Sequence, residues 1–133
     1  MNEVSYITVA DVMTTLIKTI DATATVKDAI NMMRDSGVSS LVAERRDASD
    51  EYGLIVVSDI AKHVIAQNRA PERVNVYEVM TKPVLTVPAD MNIRYAVRML
   101  VQFDLSRALV VDQNRTPVGM VTLRDMVLRH VEL

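Results

Sequence analysis

A chain of 133 residues that is half hydrophobic and 24% charged has the composition of a folded protein, and with no Trp, one Phe and four Tyr against nine Met its core must be aliphatic. The absence of Cys excludes a disulfide framework, a thiol nucleophile and a thiolate zinc site. A formal charge of −2, with Arg45-Arg46 the only adjacent basic pair, gives no electrostatic footprint for nucleic acid, and no apolar run approaches the ~20 residues of a membrane span.

In chain order, Leu16 to Ile20 reads as a short strand ended by the turn-favouring Asp21. Thr25, with Asp28 three residues on, opens a helix as an imperfect capping box. Ala29, Ile30, Met32, Met33 and Val38 supply its apolar face, and Gly37 its C-terminal stop. Ser39 to Ala43 is a strand, Glu44 to Glu51 a charged hairpin loop and Tyr52 to Val57 the return strand. Ser58 or Asp59 then opens a helix that runs through Ile60, Val64 and Ile65.

Asn68 to Asn75, containing Pro71, reads as a linker, and the plan then repeats. Val84 to Val87 is a strand with Pro88 at its end, and Ile93, Val97, Leu100 and Val101 line a helix face. Ala108 to Val111 and Val118 to Thr122 form a hairpin around Asp112 to Arg115, and Met126, Val127 and Val131 face inward from the last helix. The repeat is visible residue by residue. Val12-Met13-Thr14 recurs as Val79-Met80-Thr81, and at the same spacing Thr19, Ala22, Ala29, Met32 and Ser39 match Thr86, Ala89, Ala96, Met99 and Ser106. One residue is then lost, so that Gly53 matches Gly119 and Asp59 matches Asp125. Each copy is β-α-β-β-α, with a boundary that gives domains 1–70 and 71–133. A unit of about 60 residues buries little surface alone, so the copies are expected to pack across their sheets.

The chemistry lies at one turn. From Gly53 to Asp59, and again from Gly119 to Asp125, a strand starts at Gly, runs through apolar residues and delivers an Asp to a helix start. As structure alone, each Asp is a helix N-cap. As function, a carboxylate there accepts hydrogen bonds from both hydroxyls of a ribose, while Thr122, Arg124 and the helix N-terminus hold phosphate.

The Met-Thr opening, the strand after it and the closing Gly-to-Asp pattern resemble a tandem pair of CBS domains (the cystathionine β-synthase domain), often called a Bateman module. The resemblance runs from about Val9 to His130. It implies an α+β fold of two β-α-β-β-α units packed sheet to sheet about a pseudo-twofold axis, with two clefts that take adenosyl ligands, and a disc-like homodimer. Thr122 and Asp125 match the family's nucleotide pattern in full. Asp59 matches it too, but Val56 stands where Ser or Thr is expected, so that cleft lacks a hydrogen bond contributing about 0.5–1.5 kcal/mol. By position the resemblance assigns Val84, Leu105, Ser106, Arg107 and Ala108 to the Thr122 cleft, and Ile17, Val38, Ser39 and Ser40 to the Asp59 cleft. Arg107 and Arg124 are its phosphate candidates.

An enzyme is the rival class. His63 follows Asp59 by four residues and His130 follows Asp125 by five, but neither has a nucleophile or a metal-ligand partner in a recognisable setting. The expectation is therefore a non-catalytic regulatory module with no resident cofactor or metal. Its ligand is AMP, ADP or ATP, and it signals to a separate effector protein because no catalytic, transport or DNA-binding domain is attached. The alternative is a ligand-free dimeric interaction scaffold. With no basic-then-apolar leader at the N-terminus, a cytoplasmic location is expected.

Overall fold

The computed structural model describes residues 6–130 and has the α+β character expected, with two three-stranded sheets. It divides into two compact units, and these are not cut where the sequence repeat is cut. Lys18–Val84 form one unit; the described residues up to Ile17 belong with those from Leu85 onward in the other.

In the Lys18–Val84 unit, β1 (Thr19–Ile20) runs parallel to β2 (Ser40–Ala43), which pairs antiparallel with β3 (Gly53–Val56). Helix α2 (Val26–Ser36) starts at a complete capping box. Asp28 N–H donates to Thr25 Oγ1 at 3.1 Å, and Thr25 N–H donates to Asp28 Oδ2 at 3.2 Å. Gly37 ends it in the left-handed region at φ 69°, where a glycine carries no Cβ penalty. Ala29 and Met33 bury its inner face against Leu41, Ile55, Ile60 and Val64. The segment read as a linker, Asn68 to Asn75, enters this core only at its end, through Val74, with Val76 just beyond it. Val74 and Val76 are buried, and their own backbone groups tie them to the start of α2, Val26 N–H donating to Val74 O at 2.7 Å and Val76 N–H to Ala24 O at 2.8 Å. Beyond them, Thr81 exchanges two backbone hydrogen bonds with Leu54, at 2.9 and 2.8 Å.

The other unit repeats this with β4 (Thr86–Pro88), β5 (Arg107–Val111) and β6 (Pro117–Thr122) in the same order and directions. Helix α4 (Ile93–Gln102) packs Ile93, Ala96 and Leu100 inward, and α5 (Leu123–His130) contributes Met126. The N-terminal segment closes this unit. Its one-turn helix α1 (Val9–Val12) buries Val9, and Thr14 exchanges two 2.9 Å backbone bonds with Met120. Thus the Val-Met-Thr segment ahead of each repeat completes the sheet of the other repeat.

Several expectations are corrected. The strand expected from Leu16 is only Thr19–Ile20, and Leu16 is exposed; the strand expected from Val84 begins at Thr86. Val101 and Val127 are exposed, because each follows a fully buried residue (Leu100, Met126) and the next helical position lies ~100° round the helix. Ile65 is exposed because α3 (Val57–Ile60) continues as a π-helical turn, Ala61–Ile65, with Ala66 N–H bonded to Ala61 O at 2.8 Å; that turn buries Val64 and rotates Ile65 outward. Val131 lies outside the described residues.

Candidate functional site

The corner nominated in the second repeat is built by β5, β6 and the start of α5. Thr122 is the last residue of β6 and stands opposite Arg107, the first of β5. The chain then turns into α5, held by Leu123 N–H to Ser106 O at 2.8 Å. Thr122 Oγ1 accepts the Asp125 backbone N–H at 3.1 Å, so the hydroxyl oxygen satisfies one of the helix's orphan donors. Thr122 is therefore the cap, and Asp125 is the third helical residue with its carboxylate left over. This corrects the reading of Asp125 as an N-cap. The carboxylate is 46% exposed, and its contact with the Arg124 guanidinium is 3.6 Å long, with Arg124 79% exposed. An exposed pair of that length contributes little stability and leaves both charges open to a ligand.

The first repeat builds the same corner from different side chains. Val56, the last residue of β3, stands opposite Ser40, the first of β2, and Val57 N–H donates to Ser39 O at 3.0 Å. Val56 takes the N-cap position of α3 and makes no side-chain cap bond, because it has no oxygen to offer. Asp59 again sits third, half-buried, and is likewise not a cap.

The remaining nominated residues divide by unit. Leu105 and Ser106 lead into β5 on the Thr122 side, Leu105 half-buried and Ser106 exposed; Val38 and Ser39 do the same ahead of β2. Ala108 is fully buried in the core on the central strand, so its side chain faces protein. Val84, grouped with the Thr122 cleft, is the last residue of the Lys18–Val84 unit and donates its N–H to Tyr52 O at 2.9 Å. Ile17, grouped with Asp59, belongs to the opposite unit from Asp59.

Two hollows that sequence reasoning did not nominate lie within single units. One, of about 340 Å³, is an apolar groove between α2 and α3 that includes Met33, Val38, Ile60 and Ile65. The other, of about 400 Å³, is bordered by the Asp112–Asn114 turn and Pro88–Asp90. Val38 alone of the nominated residues lines either one. Among the described residues no group of three or more His, Cys, Asp or Glu side chains is placed to hold a metal, and no helix is long and apolar enough to cross a membrane.

A family model described as the CBS domain matches the chain twice, at residues 9–66 and 76–131. A curated relative, an uncharacterized protein of Methanopyrus kandleri, is 30% identical over 105 residues, covering 79% of this chain and 53% of the relative. The chain thus spans about half the length of that relative, and only 24% of a homoserine O-acetyltransferase of Methanohalobium evestigatum, to which it is 30% identical over 125 residues. Among solved structures, the hexameric CBS-CP12 protein from bloom-forming cyanobacteria matches with a TM-score of 0.90 at 31% identity, covering 95% of this chain and 73% of that one. The CBS domain pair of protein MJ0100, in complex with 5′-methylthioadenosine and S-adenosyl-L-methionine, matches with a TM-score of 0.78 at 25% identity, covering 93% and 99%.

Proposed function

The chain belongs to the CBS-domain family, and from that premise we propose that it is a regulatory module binding an adenine nucleotide (AMP, ADP or ATP) at the Thr122–Asp125 corner. The observation that carries this reading is the half-exposed Asp125 carboxylate, fixed in the first turn of α5 by a cap that does not use it. A ribose diol presents two O–H donors that one carboxylate accepts together, and such charge-assisted bonds are the stronger kind. Arg107, opposite Thr122 in register, and Arg124, next to Asp125, supply charge for phosphate. The adenosyl compounds bound by the MJ0100 pair support the ligand class.

Regulation follows from differential affinity. A nucleotide that binds one arrangement of the module more tightly shifts its population, and a partner protein that reads the difference is controlled. Exposed Val57, Ile65, Val101 and Val127, together with the hexameric relative, support self-association, which we assign as a homodimer. The same exposed apolar side chains are what a ligand-free dimeric scaffold would use, and that is the second reading. A thermal-shift screen with AMP, ADP and ATP separates the two. Binding at a hundred times Kd raises the midpoint on the order of 5–10 °C, whereas a scaffold shows no shift with any of them.

A further inference from the structure

The two corners are the same backbone with opposite charge. The strand pairings set Arg107 opposite Thr122 and Ser40 opposite Val56, which makes Ser40 the counterpart of Arg107. Counting from those caps, α5 continues Leu123, Arg124, Asp125 and α3 continues Val57, Ser58, Asp59, which makes Ser58 the counterpart of Arg124. Both phosphate candidates of one corner are thus serines in the other, and Thr122 is Val. Each corner keeps its aspartate. On these positions the Thr122 corner carries two guanidiniums and one carboxylate, and the first corner carries one carboxylate and no cation. Two lysines flank the first motif along the chain, Lys18 before β1 and Lys62 three residues after Asp59. Neither stands on β2 or in the first turn of α3, the elements that form the corner.

We infer that the two corners take different ligand classes: an anionic adenine nucleotide at Thr122–Asp125, and an uncharged adenine nucleoside at Ser40–Asp59. The inference rests on the adenosyl-binding reading above and refines it. A phosphate brought to the first corner meets the Asp59 carboxylate without a guanidinium to offset the repulsion, and like charges in a partly desolvated site discriminate strongly. A bare ribose meets no such penalty. Its two hydroxyls are donors that Asp59 accepts, and the Ser58 hydroxyl serves a neutral ligand as readily as Arg124 serves phosphate.

AMP and adenosine differ by the phosphate alone, so titration calorimetry of the full chain with each reads the distinction directly. Asp125→Ala is expected to weaken AMP at least tenfold and leave adenosine binding at the other corner, and Asp59→Ala to remove adenosine binding there and leave AMP unchanged. Ser58→Arg, at an exposed position, is expected to raise AMP affinity at the first corner roughly 5- to 10-fold and to give adenosine, which loses the Ser58 hydroxyl and has no phosphate for the new guanidinium, no such gain. Lys62→Gln is expected to change neither ligand. Thermal melts of each variant identify any that lose the fold, in which case Ser58→Arg and Lys62→Gln carry the test. The same AMP-to-adenosine ratio at both corners, AMP binding that depends on Asp59, or an AMP loss in Lys62→Gln would overturn this inference and leave adenosyl binding standing. No heat with either ligand would overturn the adenosyl-binding reading, and this one with it.

Discussion

The hydroxyl oxygen of Thr122 accepts the backbone N–H of Asp125 at 3.1 Å, which makes the threonine of the nucleotide pattern a helix cap before it is anything else. Val56 holds the same place ahead of α3 and caps nothing. Val56→Thr should therefore stabilise the chain by about 0.5–1.5 kcal/mol without any ligand, and Thr122→Val should destabilise it by a similar amount. Urea unfolding checks both. An unchanged midpoint in Val56→Thr, with tighter nucleotide binding, would mean that the hydroxyl serves the ligand instead.

The glycines that open β3 and sit in β6 are not equally replaceable. A β-carbon at Gly119 would lie 2.7 Å from the Thr14 carbonyl oxygen and 2.5 Å from Met13 Sδ. At Gly53 the nearest atom is the flexible end of Met80, at 2.7 Å, with the Thr81 carbonyl oxygen at 3.3 Å. A side chain can swing away; a paired backbone carbonyl cannot. Gly119→Ala should cost about 2–3 kcal/mol and Gly53→Ala about 1 kcal/mol or less, measured by chemical denaturation. Equal losses would contradict the tighter backing of Gly119 by the Met-Thr segment.

Asp50 gathers the densest charge cluster of the Lys18–Val84 unit. Its carboxylate lies 2.8 Å from Lys82 Nζ and 3.1 Å from Arg46 Nε, and accepts the Arg46 backbone N–H at 2.9 Å. The Lys82 hydrogen bond first, then those from Arg46, hold its carboxyl well below the usual carboxylate range. A carboxyl depressed on folding adds stability above its unfolded value of about 4, and that stability is lost as the pH falls below it toward the folded value. The melting midpoint should thus fall steadily from pH 4 downward. Asp50→Asn should lower it at pH 7 and flatten that acid dependence; an unaltered pH profile in Asp50→Asn would remove the cluster from the account.

What could be read from the sequence follows from which interactions are local. Thr25 with Asp28, Gly37 and the short apolar strands declare themselves within a few residues, and the structure has them. The repeat then carries the same plan to the second copy, where the structure puts Asp104, at φ 54°, in the left-handed region at the place that Gly37 has in the first. Hidden from such reading was the exchange of the Val-Met-Thr segments. Pairing Thr14 with Met120 depends on contacts more than a hundred residues apart, which no local pattern encodes. The π-turn that exposes Ile65 was hidden as well, since its apolar spacing also fits an α-helix. At the site, residue types marked Thr122 and Asp125 as a pair, but the cap bond reverses the roles first read there. The counterparts Ser40 and Ser58 become evident once strand register fixes which residue faces which.

The claim that matters most is that the Asp125 carboxylate holds the ribose of a bound nucleotide. The carboxylate takes no part in the cap, and the alanine variant keeps the backbone N–H that Thr122 accepts, so Asp125→Ala removes the carboxylate and spares the helix start. Isothermal titration of AMP into the parent chain and into Asp125→Ala tests the claim directly. The account expects the variant to melt with the parent and to bind AMP about 10- to 150-fold more weakly, the worth of a charge-assisted hydrogen bond of about 1.5–3 kcal/mol. Equal AMP affinity in the two proteins would contradict it.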